Sequence, residues 1–183
     1  MSALRLAFFS LVALAEIALP AHSIFMRTQT LAKGRVWKLK AAPIDPVDAL
    51  RGRYVTLAFA AETVPQSETL PRQSEAYAIL KEAPDGFAVV DRLSPTPVSG
   101  DNVIKVTVNG YWTGAQRVDF PFSRFWLDEK TAPAAEGVYA TNSRREKQNA
   151  YATIRVRDGD AALEQLYIGD LPLAEYLRQN PAP

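Results

Sequence analysis

The sequence predicts a mainly β domain that follows a single N-terminal transmembrane helix. Residues 4–24 form one apolar run, segments of alternating apolar and polar side chains recur between residues 35 and 168, and turn-forming Pro, Gly, Asn and Asp separate them. About eight short strands at this spacing are typical of an antiparallel β-barrel or β-sandwich with one or two short helices. We therefore expect a membrane segment at 1–25 and one mainly β domain at 34–183.

The composition excludes several classes of function. The chain has 21 basic and 20 acidic residues, so its net charge of +1 provides no field that would attract a nucleic acid. It contains no Cys, which excludes disulfides, zinc-thiolate sites and a Cys nucleophile. The single His, His22, lies at the edge of the apolar run, so a His-based triad or a multi-His metal site in the domain is excluded. We expect no cofactor, no metal and no catalytic residue.

The apolar run is long enough to cross a membrane. Between Leu4 and Ile24 the only charged residues are Arg5 and Glu16, and a helix of this length spans about 30 Å, the thickness of a bilayer core. A retained signal-anchor helix is our prediction. Two alternatives remain: a cleavable signal peptide that ends at the small-x-small site Ala21-His22-Ser23, and a helix packed in a soluble core.

Glu16 stands out because it lies in the middle of the apolar run. An ionised carboxylate at that depth costs a few kcal/mol, so the side chain should be neutral or should face a partner helix. This is the basis for expecting an integral membrane protein partner. A protonated Glu tolerated in a single-pass helix is the alternative.

The stretch from Pro43 to Phe59 leads from the membrane segment into the domain. Asp45 followed by Pro46 is typical of a cap and a first helical position, which predicts one turn of helix that ends at Gly52. From Tyr54 to Phe59 apolar and polar residues alternate, which predicts a strand.

This stretch resembles the bacterial membrane-anchored proteins named for a Gly-Asp-Tyr-x-x-Leu-x-Tyr motif, in which Pro-x-Asp-Pro-x-Asp-x-x-x-Gly precedes the motif. The matching residues are Pro43, Asp45, Pro46, Asp48, Gly52, Tyr54 and Leu57. Arg53 and Phe59 replace the Asp and the last Tyr of the motif, so no role of that acidic group carries over. Similar later blocks occur at 125–127, 158–159 and 166–173. The resemblance implies a membrane-anchored domain and no particular activity.

Two signals disagree about the side of the membrane on which the domain lies. Five cations follow the apolar run, namely Arg27, Lys33, Arg35, Lys38 and Lys40, whereas only Arg5 and the amino terminus precede it. The positive-inside rule would then place the domain in the cytoplasm. The signal-like order of a charged start and an apolar run, together with the family resemblance, favours export. We predict a domain on the periplasmic side of a bacterial cytoplasmic membrane.

The remaining elements follow from pattern and turn residues. Hairpins are predicted at 76–83 with 87–93 and at 151–157 with 161–168, and a strand at 103–108. Turns are predicted at 109–110 and 113–114, and an aromatic strand region at 117–127 that Pro121 interrupts at an edge or bulge. A loop is expected at 62–74, a short helix within 131–148 and a helical turn at 173–178.

Three groups of residues are candidate sites, and each has a plainer interpretation. Asp45 and Asp48 could bind Ca²⁺ or Mg²⁺, but a cap and turn role fits their spacing better. Tyr111, Trp112 and Trp126 could line a ligand groove, although aromatic residues at this density are usually core. Ser99 with Lys105 could form a hydrolase dyad, but the Ser-x-x-Pro stretch of such enzymes is missing.

These observations favour a non-enzymatic membrane-anchored, exported domain that acts as an accessory or adaptor subunit of a membrane protein complex. A cell-envelope binding module for a glycan or peptide is the alternative. A Ser/Lys-type hydrolase is the third hypothesis.

Overall fold

The computed structural model describes residues 3–43, 54–65, 70–112, 114–144 and 146–180. The helices are α1 (Ala3–Lys33), α2 (Ala132–Asn142) and α3 (Leu173–Gln179), with a short 3-10 helix at Ala60–Glu62. The strands are β1 (Arg35–Lys40), β2 (Tyr54–Thr56), β3 (Thr63–Pro65), β4 (Glu75–Glu82), β5 (Ala88–Ser94), β6 (Val103–Trp112), β7 (Ala115–Asp119), β8 (Arg124–Trp126), β9 (Ala150–Arg157), β10 (Asp160–Ile168) and β11 (Leu171–Pro172).

Helix α1 is long and apolar enough to cross a membrane, as the composition of the run requires. Its span Phe8–Lys33 has a mean hydropathy of 1.7 over its most apolar 18 residues, and none of those residues is buried by the rest of the chain. A signal sequence near an amino terminus meets the same criteria. The helix continues past the predicted end at Ile24, and its last turns pack against β9 and β10.

The described strands form three antiparallel sheets around one core. Their orders are β1-β9-β10-β11, β3-β7-β6-β4-β5 and the pair β2-β8. Alternation along the strands directs apolar side chains inward, and residues of all three sheets meet in a single cluster, for example Leu39, Val55, Ile104 and Ile154. The described strands do not close into a barrel, so a sandwich-like arrangement is the one of the two predicted folds that fits.

Both predicted hairpins are confirmed. Strand β4 pairs with β5 around the turn at Pro84-Asp85-Gly86, and β9 pairs with β10 around Asp158-Gly159. Gly86 and Gly159 have φ angles of 79° and 90°, a conformation that favours glycine at hairpin turns. The predicted helices at 131–148 and 173–178 correspond to α2 and α3.

One turn prediction is wrong, and one strand prediction is confirmed in its interruption. Asn109-Gly110 does not reverse the chain, because β6 continues to Trp112 and the extra residue forms a β-bulge: Val108 lies opposite Val118, and Gly110 lies opposite Arg117. The predicted aromatic strand region 117–127 is interrupted at Pro121, as proline in that position indicates: it is divided into β7 and β8, because Pro121 has no N–H for a ladder bond.

The boundaries around the motif also differ from the prediction. Strand β2 ends at Thr56, three residues before the predicted end. Beyond it the Leu57 N–H still donates to the Ser123 carbonyl, and Phe59 forms an isolated bridge with Ala41. The expected loop at 62–74 includes the short strand β3. The helical turn predicted from Asp45 to Gly52 lies outside the described residues.

Candidate functional site

The junction between α1 and the β domain is closely packed. Thr30 is buried, and its carbonyl accepts a bond from the Gly34 N–H at 2.8 Å. A Cβ at Gly34 would lie 2.5 Å from the Thr30 carbonyl oxygen and 3.0 Å from the Val156 carbonyl oxygen of β9. Only glycine therefore fits between the end of the helix and the sheet without a shift of the backbone.

An arginine of β9 holds the same junction from the other side. Arg155 Nη1 donates to the Gly34 carbonyl at 3.3 Å, while its Nε and Nη2 lie 2.9 and 2.8 Å from Glu164 Oε1. Glu164 on β10 thus fixes the guanidinium plane, and the guanidinium fixes Gly34. The end of α1 is consequently attached to the domain by packing and by hydrogen bonds.

Glu16 is exposed on α1, four residues before Pro20. Proline has no N–H, so Pro20 cannot donate the i to i−4 hydrogen bond that the Glu16 carbonyl would accept in a regular helix. The carboxyl group and the backbone carbonyl of one residue are thus polar groups within an apolar helix surface.

The aromatic candidates are not core residues where the structure describes them. Trp126 is 64% exposed and Tyr111 is 54% exposed, so the core interpretation is wrong for both. They lie on different sheets, Trp126 on β8 and Tyr111 on β6, and the side chain of Trp112 lies outside the described part. The predicted three-residue groove stays a prediction.

Trp126 belongs instead to a cluster with a residue of the motif. Its ring packs edge-on against Tyr54 at 5.1 Å between centroids, and the Arg124 guanidinium lies 4.8 Å from the centre of the Tyr54 ring. We call Tyr54, Arg124 and Trp126 the β2–β8 cluster. It presents an aromatic ring and a cation at the surface.

The other motif positions divide between core and surface. Leu57 is buried, and Phe59, which stands where the motif has Tyr, packs against the rings of Phe120 and Phe122 at 6.2 and 5.8 Å. Pro43 is exposed. The remaining candidates, Asp45, Pro46, Asp48 and Gly52, lie outside the described residues.

The model of the GDYXXLXY protein family matches residues 16–166. The chain belongs to the GDYXXLXY family. No curated protein and no solved structure matches it. The GDYXXLXY match begins at Glu16 within α1 and ends in β10. It includes the helix junction, the β2–β8 cluster, the five-stranded sheet and all of the four-stranded sheet except β11 and the end of β10.

The GDYXXLXY domain also contains a buried acid that the sequence analysis missed. Glu62 is 8% exposed, and its Oε2 accepts a bond from the Phe59 N–H at 3.1 Å. Burial raises the pKa of Glu62 to about 7; Asp119 adds to the rise, while the Phe59 N–H and the Arg117 charge oppose it. The sequence did contain one signal for this contact. Glu62 lies three residues after Phe59, and a carboxylate at the third position of a helix often accepts a hydrogen bond from the N–H of the capping residue.

Tyr139 of α2 lies near this acid and is also buried. Its hydroxyl donates to the Ala58 carbonyl at 3.2 Å and accepts from the Ala58 N–H at 3.4 Å. Burial raises the pKa of Tyr139 well above its usual range. No pattern in the sequence distinguishes this Tyr from other apolar positions of α2, because its partner is distant in the chain.

The Ser/Lys pair lacks the electrostatics of a dyad. Lys105 Nζ lies 2.8 Å from Glu75 Oε1, and this bond raises the pKa of Lys105. A lysine that acts as a general base needs a lowered pKa. Ser99 is exposed in the loop before β6. The geometry therefore gives the hydrolase hypothesis no support.

Proposed function

We propose that this GDYXXLXY protein is a single-pass accessory subunit that binds an integral membrane protein through α1 and holds its β domain on the extracytoplasmic side. The observation that carries the proposal is Glu16, exposed in the apolar helix with Pro20 four residues later.

An impermeant maleimide should label Ser99→Cys in intact cells, because Ser99 is exposed and the chain has no other Cys. Failure of this variant to label would contradict the proposed extracytoplasmic side.

The cost of polar groups in lipid explains why a partner is expected. A carboxyl group and a carbonyl without its helical N–H both need hydrogen-bond donors, and hydrocarbon offers none. A helix of a membrane protein with Ser, Thr, Asn or a basic side chain at that depth would supply them. Association would then cover the polar site of α1.

The closely packed junction supports the same role. Because Thr30, Gly34 and Arg155 attach the end of α1 to the sheets, the domain has a defined orientation relative to the helix axis. A helix bound to a partner would therefore place the domain at a defined position on that partner. A flexible linker would not do so.

The test measures retention of the partner by variants of the full-length tagged protein. Purification in mild detergent and mass spectrometry should find one stoichiometric integral membrane companion, and Glu16→Leu should lower its recovery about tenfold, because each lost charged or polar bond in lipid is worth about 1–2 kcal/mol. Glu16→Gln should retain it. Pro20→Ala, which restores the donor to the Glu16 carbonyl, should weaken recovery as well.

The matched control is Ala18→Leu. This variant also introduces a leucine, but two positions after Glu16 and about 200° around the helix, so it should leave recovery of the partner unchanged. If Glu16→Leu and Ala18→Leu recover the partner equally well, the proposed contact between Glu16 and the partner is wrong. A chain that begins at Ile24 and migrates alone would eliminate the subunit role.

A second candidate function is a cell-envelope binding module, and the exposure of Trp126 in the β2–β8 cluster favours it. Exposed aromatic rings beside a cation suit a glycan or peptide surface. Trp126→Ala should reduce co-sedimentation of the full-length protein with purified peptidoglycan sacculi about tenfold, whereas Trp126→Phe should retain most of it. Equal sedimentation of wild type and Trp126→Ala would contradict this function.

A further inference from the structure

A cavity of about 620 Å³ opens beside the β6–β7 hairpin. Its described lining residues are Arg72, Asn109, Gly110, Tyr111 and Arg117. None of them is acidic, and neither guanidinium lies within 4.0 Å of a carboxylate among the residues that the structure describes. The cavity therefore brings two positive charges together without a neutralising ion pair in that part of the chain.

Backbone bonds hold Arg72 in place beside the hairpin. The Gln73 N–H donates to the Val108 carbonyl at 2.7 Å, and the Val108 N–H donates to the Ser74 carbonyl at 2.9 Å. The buried Gln116 side chain accepts from the Leu70 N–H at 3.2 Å and donates to the Leu70 carbonyl at 2.7 Å. The segment that carries Arg72 is thus fixed before any ligand arrives, which lowers the entropic cost of binding.

The β-bulge makes room next to the second arginine. Gly110 lies directly opposite Arg117 across the strand pair, and a Cβ at Gly110 would meet nothing within 4 Å. Asp119, two residues after Arg117 on β7, accepts a hydrogen bond from Asn109 Nδ2 at 3.1 Å. The ring of Tyr111, 54% exposed, forms one wall.

From this geometry we propose that the cavity binds a small phosphate monoester. Two guanidiniums match the charge of about −2 that a phosphate monoester carries near neutral pH, and arginine binds phosphate through paired N–H groups. The cavity volume is in the range typical of small-molecule sites and exceeds the volume of a phosphate group alone. The ligand should therefore carry an organic group, attached to the phosphate, that contacts the Tyr111 ring. The site is independent of the proposed membrane partner.

The test uses the full chain in neutral detergent micelles, with isothermal titration of inorganic phosphate and phenyl phosphate. Both should bind saturably, phenyl phosphate more tightly, and Arg72→Gln and Arg117→Gln should each weaken binding about tenfold or more. Tyr111→Ala should remove the advantage of phenyl phosphate. Arg178→Gln, an exposed arginine of α3 away from the cavity, is the matched control and should leave binding unchanged.

Mixed micelles that contain phosphatidic acid, a lipid phosphate monoester, distinguish two sources of the phosphate. Competition between this lipid and phenyl phosphate would identify a lipid headgroup as the ligand, and lack of competition would identify a soluble phosphate ester. The proposal is overturned if neither probe binds saturably, or if Arg178→Gln weakens binding as much as Arg117→Gln. Thermal melts of each variant establish that a lost signal is not lost folding.

Discussion

Replacing Gly34 with Ala should lower the free energy of unfolding by about 2–3 kcal/mol, the cost typical of adding a methyl group where there is no room. The new Cβ would lie 2.5 Å from the Thr30 carbonyl oxygen and 3.0–3.1 Å from backbone atoms of Val156. These neighbours are backbone atoms, so relief requires the end of α1 to move away from β9. We therefore expect faster hydrogen exchange at residues 28–34 as well as lower stability.

Gly137→Ala is the matched control for this substitution. Gly137 lies within α2, and a Cβ there would meet nothing within 4 Å. Alanine is the better helix former, so the variant should be more stable than wild type by up to about 1 kcal/mol. Urea unfolding of the full chain in detergent measures both changes. If Gly34→Ala is as stable as wild type and its exchange is unchanged, the junction is not closely packed.

Replacing Glu62 with Gln should remove a pH dependence of stability that amounts to about 2–3 kcal/mol between pH 5 and pH 8. Burial raises the pKa of Glu62 from 4.5 to about 7 in the folded chain. Between these values the folded state holds a proton that the unfolded state releases. The stabilisation by the protonated acid is therefore fully present below pH 4.5 and is lost as the pH rises through 7.

The Gln variant stays neutral at every pH and still offers an oxygen to the Phe59 N–H. Its stability relative to wild type should increase by about 2–3 kcal/mol from pH 5 to pH 8 in urea titrations. Glu75→Gln serves as the control, since Glu75 is exposed and forms a surface ion pair with Lys105, so its effect should stay within about 1 kcal/mol. A constant difference between Glu62→Gln and wild type would mean that Glu62 titrates as an exposed acid.

Much of the fold could be predicted because it depends on local pattern. The hairpins at Pro84-Asp85-Gly86 and Asp158-Gly159 require only two alternating segments and turn-forming residues between them. All of these residues are close together in the sequence. The bulge at Gly110 was missed because the same Asn-Gly pair suits a turn or a bulge, and only the register against β7 decides between them.

The candidate sites were less predictable. Sequence pattern picked out Tyr111 and Trp126 but not that they are exposed on separate sheets, nor that Tyr54 packs against Trp126. Arg72 and Arg117 line the same cavity only because backbone bonds hold the segment of Arg72 against the β6–β7 hairpin. Contacts between residues far apart in the chain leave no periodic signal.

By itself the sequence determined the apolar helix with Glu16, the family, the β class and the absence of cysteine chemistry, because these follow from composition and from spacing along the chain. The tertiary structure alone decided that α1 is attached through Gly34, that Glu62 is buried and that two arginines share a cavity. Those properties depend on which surfaces pack together, and burial and proximity are set by the whole fold.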